Sequence, residues 1–244
     1  MLKPNSAKPG NLEVWWVDTS TAGATLDQFA QATDLLTAQD IDGRSNESRW
    51  ARVVLRFALS RYGDKELAFC PIEAAAAGQP FLLNRNGPTF SISHSADHIA
   101  VALATDGPIG IDIEWNRPIK MSTKRQLQIA AQARAHGLDV SINAGATDTG
   151  IEFLTLWTKL EALAKARGDG IGAVLTELKA QPSEAARNLF SKVGATDVRV
   201  QPLSLANELV GALVAANDKG AYDVHELPKN LSALMTQFET NCAR

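Results

Sequence analysis

The chain has 244 residues, of which 45% are hydrophobic and 21% charged, and its formal net charge is -3. This length allows one large domain or two small ones, with a core that needs neither disulfides nor metals. The acidic balance argues against a general nucleic-acid-binding protein, and no apolar run is long enough to cross a bilayer. The two cysteines, Cys70 and Cys242, make neither a disulfide framework nor a metal cluster. The first twenty residues lack the continuous apolar stretch of a signal peptide, so we expect a cytoplasmic protein.

The first part of the sequence predicts one strand followed by helices. The segment "NLEVWWVDTS" alternates as a strand does, and "TLDQFAQATDLLTAQDIDG" has the apolar spacing of one or two short helices. A stronger helix is predicted from Ser48 to Tyr62, where Arg49, Arg52 and Arg56 form a basic stripe beside the apolar side. Spacing alone makes a solvated helix face the simpler interpretation of this stripe.

The centre of the sequence predicts a three-strand meander. Its strands are "TFSISHS", "HIAVALA" and "IGIDIEW", separated by the turn signals "SAD" and "TDGP". In the third strand, alternation puts Asp112 and Glu114 on one side, with their Cα atoms only ~7 Å apart. Two carboxylates this close repel each other unless a cation lies between them. We therefore expect a cation at this strand.

The remaining sequence predicts helices and a strand pair. Residues 117–138 contain several Lys and Arg but no acid, and the small-residue segment "SINAGATDTG" predicts a loop. A strong helix follows from Glu152 to Ala166, then a strand pair "VRVQPL" and "ELVGALVAAN", then a terminal helix "LPKNLSALMTQFE". The apolar stripe of the strong helix is Phe153, Leu156, Leu160 and Leu163. Because strands and helices do not alternate regularly, we expect an α+β fold.

The strong helix also carries polar groups suited to chemistry. Glu161 and Lys165 stand one turn apart beside the apolar stripe, and taken alone they indicate a solvent-exposed ion pair worth ~0.3 to 0.5 kcal/mol. Taken with Asp112 and Glu114, however, Glu161 completes a set of three carboxylates. Such an all-oxygen set suits Mg²⁺, a hard ion that keeps waters and binds substrate phosphate at its remaining positions. The sequence therefore predicts Mg²⁺ as the cation.

Other classes of site receive less support. His94 stands near the end of the first central strand, at the turn into the next, where a single histidine is more often structural; its spacing to His98 resembles a zinc pair. The remaining histidines are isolated and no cysteine lies near, so zinc is discounted. The sequence contains neither a G-x-S-x-G elbow nor a G-x-x-x-x-G-K-[ST] loop, which argues against acyl-enzyme and P-loop chemistry.

Three motifs in the same order resemble those of the 4'-phosphopantetheinyl transferases, in particular the two-lobed surfactin-type class. They are "FSISHS" (Phe90 to Ser95), "GIDIE" (Gly110 to Glu114) and "LWTKLEALAKARGDG" (Leu156 to Gly170). The segment "AAGQP" looks like the G-K-P that precedes the histidine motif in the family, and the helix with the basic stripe is similar to its arginine-rich helix. The resemblance covers roughly residues 41–172.

The resemblance implies transfer of 4'-phosphopantetheine from coenzyme A to a serine of an apo acyl or peptidyl carrier protein. It implies a monomer with two similar α+β lobes, 1–108 and 109–244, and an active site between them. The implied Mg²⁺ ligands are Asp112, Glu114 and Glu161, with Asp112, Glu161 and Lys165 as catalytic residues and Glu161 as the acceptor of the serine proton. The implied contacts with coenzyme A are Arg49, Arg52, Gln79, Pro80, Ser93, His94 and Lys165.

Two positions depart from the family pattern. The lysine that precedes the helix glutamate in the family is Leu160 here, and the G-K-P lysine is Gln79. These departures keep open a degenerate homologue that binds coenzyme A or a carrier protein without transfer. A different Mg²⁺ phosphoryl-transfer enzyme with three carboxylates is a second alternative.

The acid-free basic segment predicts a surface for the carrier protein. Carrier proteins of this family's pathways are typically acidic, so electrostatic complementarity would favour their docking there. A solvated loop is the alternative interpretation. We expect no nucleic-acid or membrane partner. The residues concerned are Arg117, Lys120, Lys124 and Arg125.

Overall fold

The structure is a computed structural model that describes residues 11–62, 65–75, 78–83, 87–143, 150–180, 193, 198–216 and 221–243. Residues 144–149 of the predicted small-residue loop lie outside the described residues. The strands are β1 (Leu12–Asp18), β2 (Ile72–Ala74), β3 (Pro80–Leu82), β4 (Thr89–Ser95), β5 (His98–Ala104), β6 (Ile109–Trp115), β7 (Val198–Leu203), β8 (Leu209–Ala216) and β9 (Asp223–Glu226). The helices are α1 (Thr19–Thr33), α2 (Ala38–Ile41), α3 (Asn46–Leu59), α4 (Lys65–Phe69), α5 (Thr123–Ala135), α6 (Gly150–Arg167), α7 (Ile171–Glu177) and α8 (Leu231–Cys242).

The protein has an α+β fold, as the sequence predicts. The described strands form a four-stranded sheet in the order β4-β5-β1-β9, a two-stranded sheet β2-β3 and a three-stranded sheet in the order β6-β8-β7. Among the described helices, none is both long and apolar enough to cross a membrane. The strand pair β7–β8 is antiparallel, as predicted.

The predicted three-strand meander is wrong in its third strand. β4 and β5 do form an antiparallel pair, with Ser95 opposite His98. The other edge of β5 is occupied by β1, which pairs with it from Leu12 to Asp18. β6 therefore finds no edge beside β5, and it pairs instead with β8 in the three-stranded sheet.

The chain divides into two compact units, and the first is built on the four-stranded sheet. It holds the described residues of Met1–Ala74, Pro80–Asp106 and Gly220–Arg244. Its core contains aromatic rings from β1, α1, α3 and α8 in edge or stacked contact: Trp15, Phe29, Phe57 and Phe238.

The end of the chain belongs to this first unit. β9 runs parallel to β1, with Glu13 opposite Asp223, and α8 inserts Leu234 and Phe238 into the core. The predicted division at residues 108 and 109 gave this segment to the C-terminal lobe. It lies in the first unit because its strand and helix complete a sheet and a core that begin at β1.

The basic stripe of α3 is not a solvated face. Arg56 is fully buried, and its guanidinium donates hydrogen bonds to Asp40 Oδ2 (2.8 Å), to the carbonyl of Ala68 (2.7 Å) and to that of Cys70 (3.1 Å). Arg52 is also buried, with its Nε 3.9 Å from Asp40 Oδ1. The solvated interpretation is wrong for both residues, because Asp40 and two main-chain carbonyls supply polar partners inside the unit.

The second unit is built on the three-stranded sheet, against which α6 packs. It holds the described residues of Ala75–Gln79 and Gly107–Lys219. The predicted apolar stripe of α6 is buried in its core together with Ala212 and Val214 of β8. The helix is longer than predicted by two residues at its start and one at its end. Its buried stripe is Phe153, Leu156, Leu160 and Leu163.

Candidate active site

The main chain of α6 crosses β6 at Gly110 with almost no space between them. A Cβ atom at this position would lie 1.9 Å from the carbonyl oxygen of Ala162 and 2.6 Å from the amide nitrogen of Ala166. Only glycine permits this approach. Because side chains alternate along a strand, Asp112 and Glu114 lie on the same side of β6 as the helix.

Asp112 and Lys165 make a close polar contact between this strand and the helix. Lys165 Nζ donates hydrogen bonds to Asp112 Oδ1 (2.8 Å) and to the carbonyl of Ile111 (3.0 Å). The side chain of Asp112 is 9% exposed and that of Lys165 is 28% exposed. The side chain of Lys165 therefore contacts the strand. It does not form the solvent-exposed ion pair with Glu161 that the spacing along the helix indicates.

Glu161 lies in the field of the two strand carboxylates. Burial raises its pKa, and the negative charges of Asp112 and Glu114 act in the same direction, whereas Lys165 opposes them. Repulsion of this kind occurs only between carboxylates that lie close together. A divalent cation would relieve it, so the donor set fits a hard metal ion.

Protein cations already lie beside both strand carboxylates. Arg117 Nη2 is 3.1 Å from Glu114 Oε1, and Lys165 holds Asp112. The oxygen atoms of Asp112, Glu114 and Glu161 do not converge to within 4.8 Å of one another. Lys165 and Arg117 thus supply the positive charge that the sequence led us to expect beside Asp112 and Glu114. The presence of Mg²⁺ stays a prediction.

A different group of potential metal ligands lies in the first unit. Within the part of the chain that the structure describes, one set of three such side chains has its ligand atoms within 4.8 Å of one another: Glu13, Asp223 and His225. Sequence analysis did not find it because β9 was not predicted. Glu13 accepts hydrogen bonds from Trp15 Nε1 (3.1 Å) and Arg61 Nη2 (3.3 Å). Arg61 already supplies positive charge there, so the set, in which only Glu13 is buried, is explained as a polar network that joins β9 to β1.

The first unit also holds most of the predicted contacts with coenzyme A. On β4, His94 is exposed and Ser93 is buried, while Pro80 begins β3. Arg49 is half-buried, with its Nη2 3.5 Å from Asp27 Oδ1, and Arg52 lies beside Asp40. Gln79, Lys165 and the three carboxylates belong to the second unit. The role of these residues in binding coenzyme A stays a prediction.

Leu160 and Gln79, the two residues that depart from the family pattern, both pack or form hydrogen bonds within the second unit. Leu160 is fully buried in the core, and the neighbouring Lys159 donates a hydrogen bond to the carbonyl of Asp139 (2.8 Å). Gln79 Nε2 donates a hydrogen bond to the main-chain carbonyl of Lys165 (2.7 Å). No pattern in the sequence indicates this last contact, since its partner is a main-chain atom 86 residues away.

Comparison with known proteins identifies several relatives, although no family model matches the chain. The chain is 30% identical over 154 residues to the 4'-phosphopantetheinyl transferase AcpT of Salmonella typhi, an alignment that covers 63% of this chain and 75% of the relative. AcpT of Escherichia coli O157:H7 is 33% identical over 92 residues, which are 37% of this chain and 45% of the relative. The protein slr0495 of Synechocystis sp., provisionally assigned as a 4'-phosphopantetheinyl transferase, is 29% identical over 129 residues, 52% of this chain. The chain spans about half the length of that last relative, 51%.

Proposed function

The chain belongs to the 4'-phosphopantetheinyl transferases, and from this premise we propose that it transfers 4'-phosphopantetheine from coenzyme A to a serine of an apo acyl or peptidyl carrier protein. We propose further that it is a Mg²⁺-dependent, holo-[acyl-carrier-protein] synthase-type enzyme of the surfactin-type class, acting in the cytoplasm as a monomer with two similar lobes. The observation that carries the proposal is the contact of β6 with α6 at Gly110, which brings Asp112, Glu161 and Lys165 together.

The reaction joins the serine oxygen to the phosphorus of the pantetheine phosphate. The bond from that phosphorus to the bridging pyrophosphate oxygen breaks, and adenosine 3',5'-bisphosphate leaves. Glu161 is the proposed acceptor of the serine proton, since a carboxylate beside the reacting groups can act as a general base. Lys165 donates to the pyrophosphate oxygens, where an ammonium group stabilises developing negative charge.

The proposed metal ligands are Asp112, Glu114 and Glu161. Mg²⁺ held by these carboxylates would neutralise charge on the pyrophosphate and on the departing bisphosphate. Burial raises the pKa of Glu161, and the charges of Asp112 and Glu114 raise it further; a divalent cation would relieve their repulsion of Glu161, which supports this proposal.

The proposed contacts with coenzyme A are those that the family resemblance implies, among them Arg49, Arg52, Ser93, Pro80 and His94. Arg52 has the clearest support. Its Nη1 is buried and donates no hydrogen bond among the described residues, while Asp40 is shared with Arg56. Burial lowers the pKa of Arg52, and the positive charges of Arg44 and Arg56 lower it further. Positive charge is therefore in excess around Arg52, which favours an anion such as a phosphate.

The proposed docking surface for the carrier protein is the segment before and at the start of α5. Arg117, Lys120 and Lys124 are exposed and Arg125 is half-buried. A cavity of about 480 Å³ opens at the same segment. Its lining residues are Asn116, Arg117, Pro118, Ile119, Met121, Thr123, Gln126 and Gly150. A partly apolar cavity that has Arg117 in its lining and the other basic residues in the same segment suits an acidic partner that inserts an apolar side chain.

Intact mass spectrometry tests the proposed reaction. An apo carrier protein is incubated with this protein, coenzyme A and Mg²⁺, with and without EDTA. We expect the carrier to gain the mass of one phosphopantetheine, and EDTA to abolish the gain. Coenzyme A binding without any gain, across several unrelated carriers, would favour the degenerate binding protein that Leu160 and Gln79 motivate. Absence of coenzyme A binding would favour a different phosphoryl-transfer enzyme.

A further inference from the structure

Gln79 lies in a tight turn that holds its side chain in place. The amide nitrogen of Ala75 donates to the carbonyl of Gln79 (2.8 Å), and that of Gly78 donates to the carbonyl of Ala75 (2.8 Å). Gln79 is half-buried, and its side-chain amide donates to the carbonyl of Lys165 at 2.7 Å. This side chain is therefore already engaged with the protein.

The acceptor of this hydrogen bond is at the end of α6. The last four carbonyls of a helix have no amide partner within it and need one from elsewhere. Here the carbonyl of Ala164 accepts from the amide of Asp169 (3.0 Å), and that of Lys165 accepts from the amide of Gly168 (3.1 Å). Gln79 adds a second donor to Lys165 from outside the helix. The last turn of α6 is therefore tied to the Ala75–Gln79 turn.

Gly168 makes room for this arrangement. Its φ is +71°, which favours glycine at the end of a helix. A Cβ atom at this position would lie 3.1 Å from Gln79 Oε1, closer than an ordinary contact. Arg167, fully buried, ties the same turn to Glu177 with two hydrogen bonds of 2.8 and 3.0 Å. The end of α6 is thus held on two sides, by Gln79 and by Glu177.

We propose that Gln79 is a positioning residue for Lys165: its amide fixes the main chain of Lys165, so that the Lys165 ammonium stays against Asp112. The inference rests on the proposed function, because the catalytic task of Lys165 is part of that proposal. The hydrogen bond from Gln79 to Lys165 is observed independently of it. It replaces the sequence-based assignment of Gln79 as a contact with coenzyme A. If the side-chain amide of Gln79 turned to contact a phosphate, the carbonyl of Lys165 would lose the hydrogen bond that it accepts from Gln79. This loss would lower the stability of the folded protein.

The test uses two variants that remove the donor in different ways. Gln79→Glu keeps the shape but leaves two oxygen atoms facing the Lys165 carbonyl, and Gln79→Met keeps the length without a polar group. Gln31→Glu is the matched control, because Gln31 is exposed on α1. The first readout is the rate at which Lys165 is reductively methylated, measured by peptide mass spectrometry in the whole protein without substrate. Lys120, which is exposed, is the internal reference.

We expect Lys165 to be methylated several-fold faster in both Gln79 variants, with Lys120 unchanged and the control like the native protein. In transfer assays kcat falls about tenfold, as for loss of a group that orients another, while KM for coenzyme A changes little. A raised KM for coenzyme A with unchanged kcat would overturn the proposal in favour of a phosphate contact. An unchanged methylation rate would also overturn it. Since methylation needs no turnover, it decides the inference even if no transfer is found.

Discussion

At the scale of single residues, Glu161 is the proposed acceptor of the serine proton. In Glu161→Gln the side chain keeps its size but neither binds a metal ion as a carboxylate nor accepts a proton. We expect kcat to fall at least ~100-fold, because loss of a group that merely orients a metal ligand already costs 10–100-fold. Kinetics with an apo carrier protein measure this change.

The same variant makes a prediction about stability. Because the pKa of Glu161 is raised in the folded protein, its ionised form opposes folding, and stability falls as pH rises through that pKa. The neutral glutamine removes this penalty, so without metal the melting temperature at neutral pH should be equal to or above the native value. Glu152→Gln, on an exposed position of α6, is the control. Retention of most transfer activity in Glu161→Gln would contradict the proposed site.

Asp40 is the residue through which we expect the stability of the first unit to fall at low pH. Burial acts to raise the pKa of Asp40, but hydrogen bonds from Thr37 and the charge of Arg56 outweigh it, so the pKa is lowered. Its contribution to stability is therefore complete above the unfolded pKa of ~3.9 and is lost as pH falls through the lower, folded pKa.

Asp40→Asn should destabilise the protein by about 3 kcal/mol at neutral pH, because it leaves the Arg56 guanidinium buried without its counter-charge. The difference from the native protein should shrink as pH falls below ~4, because Asp40 in the unfolded state then becomes protonated and its contribution to stability begins to be lost. Urea unfolding at pH 7 and pH 3 measures both effects. Asp42→Asn, two residues away and exposed, should change stability by less than ~0.5 kcal/mol. Equal losses in the two variants would refute the role given to Asp40.

The motifs predicted that Asp112, Glu161 and Lys165 belong to one site; the structure places Lys165 against Asp112, and the catalytic roles of the three stay a prediction. Partners were not predictable where they are main-chain atoms distant in sequence. Arg56 binds the carbonyls of Ala68 and Cys70, and Gln79 binds that of Lys165. Spacing along a helix indicates which side chains share a face, but it does not say what covers that face.

At the scale of elements, the position of α6 on β6 depends on the absence of a side chain at residue 110. Gly110→Ala would place a methyl group 1.9 Å from the carbonyl of Ala162, and main-chain atoms cannot yield as a flexible side chain can. We expect the helix to shift, with a loss of about 3 kcal/mol and of transfer activity. Chemical unfolding and transfer assays measure the two losses.

Gly172→Ala is the matched control for this change. Gly172 lies in α7 with no atom near the position of an added Cβ, and alanine favours a helix by up to about 1 kcal/mol relative to glycine. Its stability should be unchanged or higher. Native stability and native activity in Gly110→Ala would show that the helix does not approach the strand as described.

The elements themselves were largely predictable, but their pairing was not. The periodicity of α6 and the alternation of β6 are strong local signals, and both elements are present near the predicted bounds. The meander was wrong because pairing depends on which sheet edges are occupied, and β1 occupies the edge of β5. β9 was missed because its four residues, mostly exposed and polar, show no apolar alternation.

At the scale of the whole molecule, charge distribution predicts how the protein finds its partner. Lys124→Glu/Arg125→Glu should raise KM for an acidic carrier protein at low salt, and the difference should shrink as salt screens the charges. Steady-state kinetics at several salt concentrations measure the effect. Lys179→Glu/Arg199→Glu changes net charge equally at exposed positions elsewhere in the second unit and serves as control. An unchanged KM at low salt would exclude this docking surface.

The return of the chain to the first unit has a consequence for biosynthesis. A chain leaves the ribosome from its N-terminus, so β1 and α3 emerge early, but the edge strand β9 and the core residues of α8 emerge last. The sheet and most of the core of the second unit lie in residues 107–219, which follow β1 and α3 in the sequence and precede β9 and α8. That unit has all its strands available while the first still lacks β9 and α8. The unit that starts first is therefore completed last, and a nascent chain arrested before residue 220 would expose the unfinished edge of β1 and the aromatic rings that α8 covers.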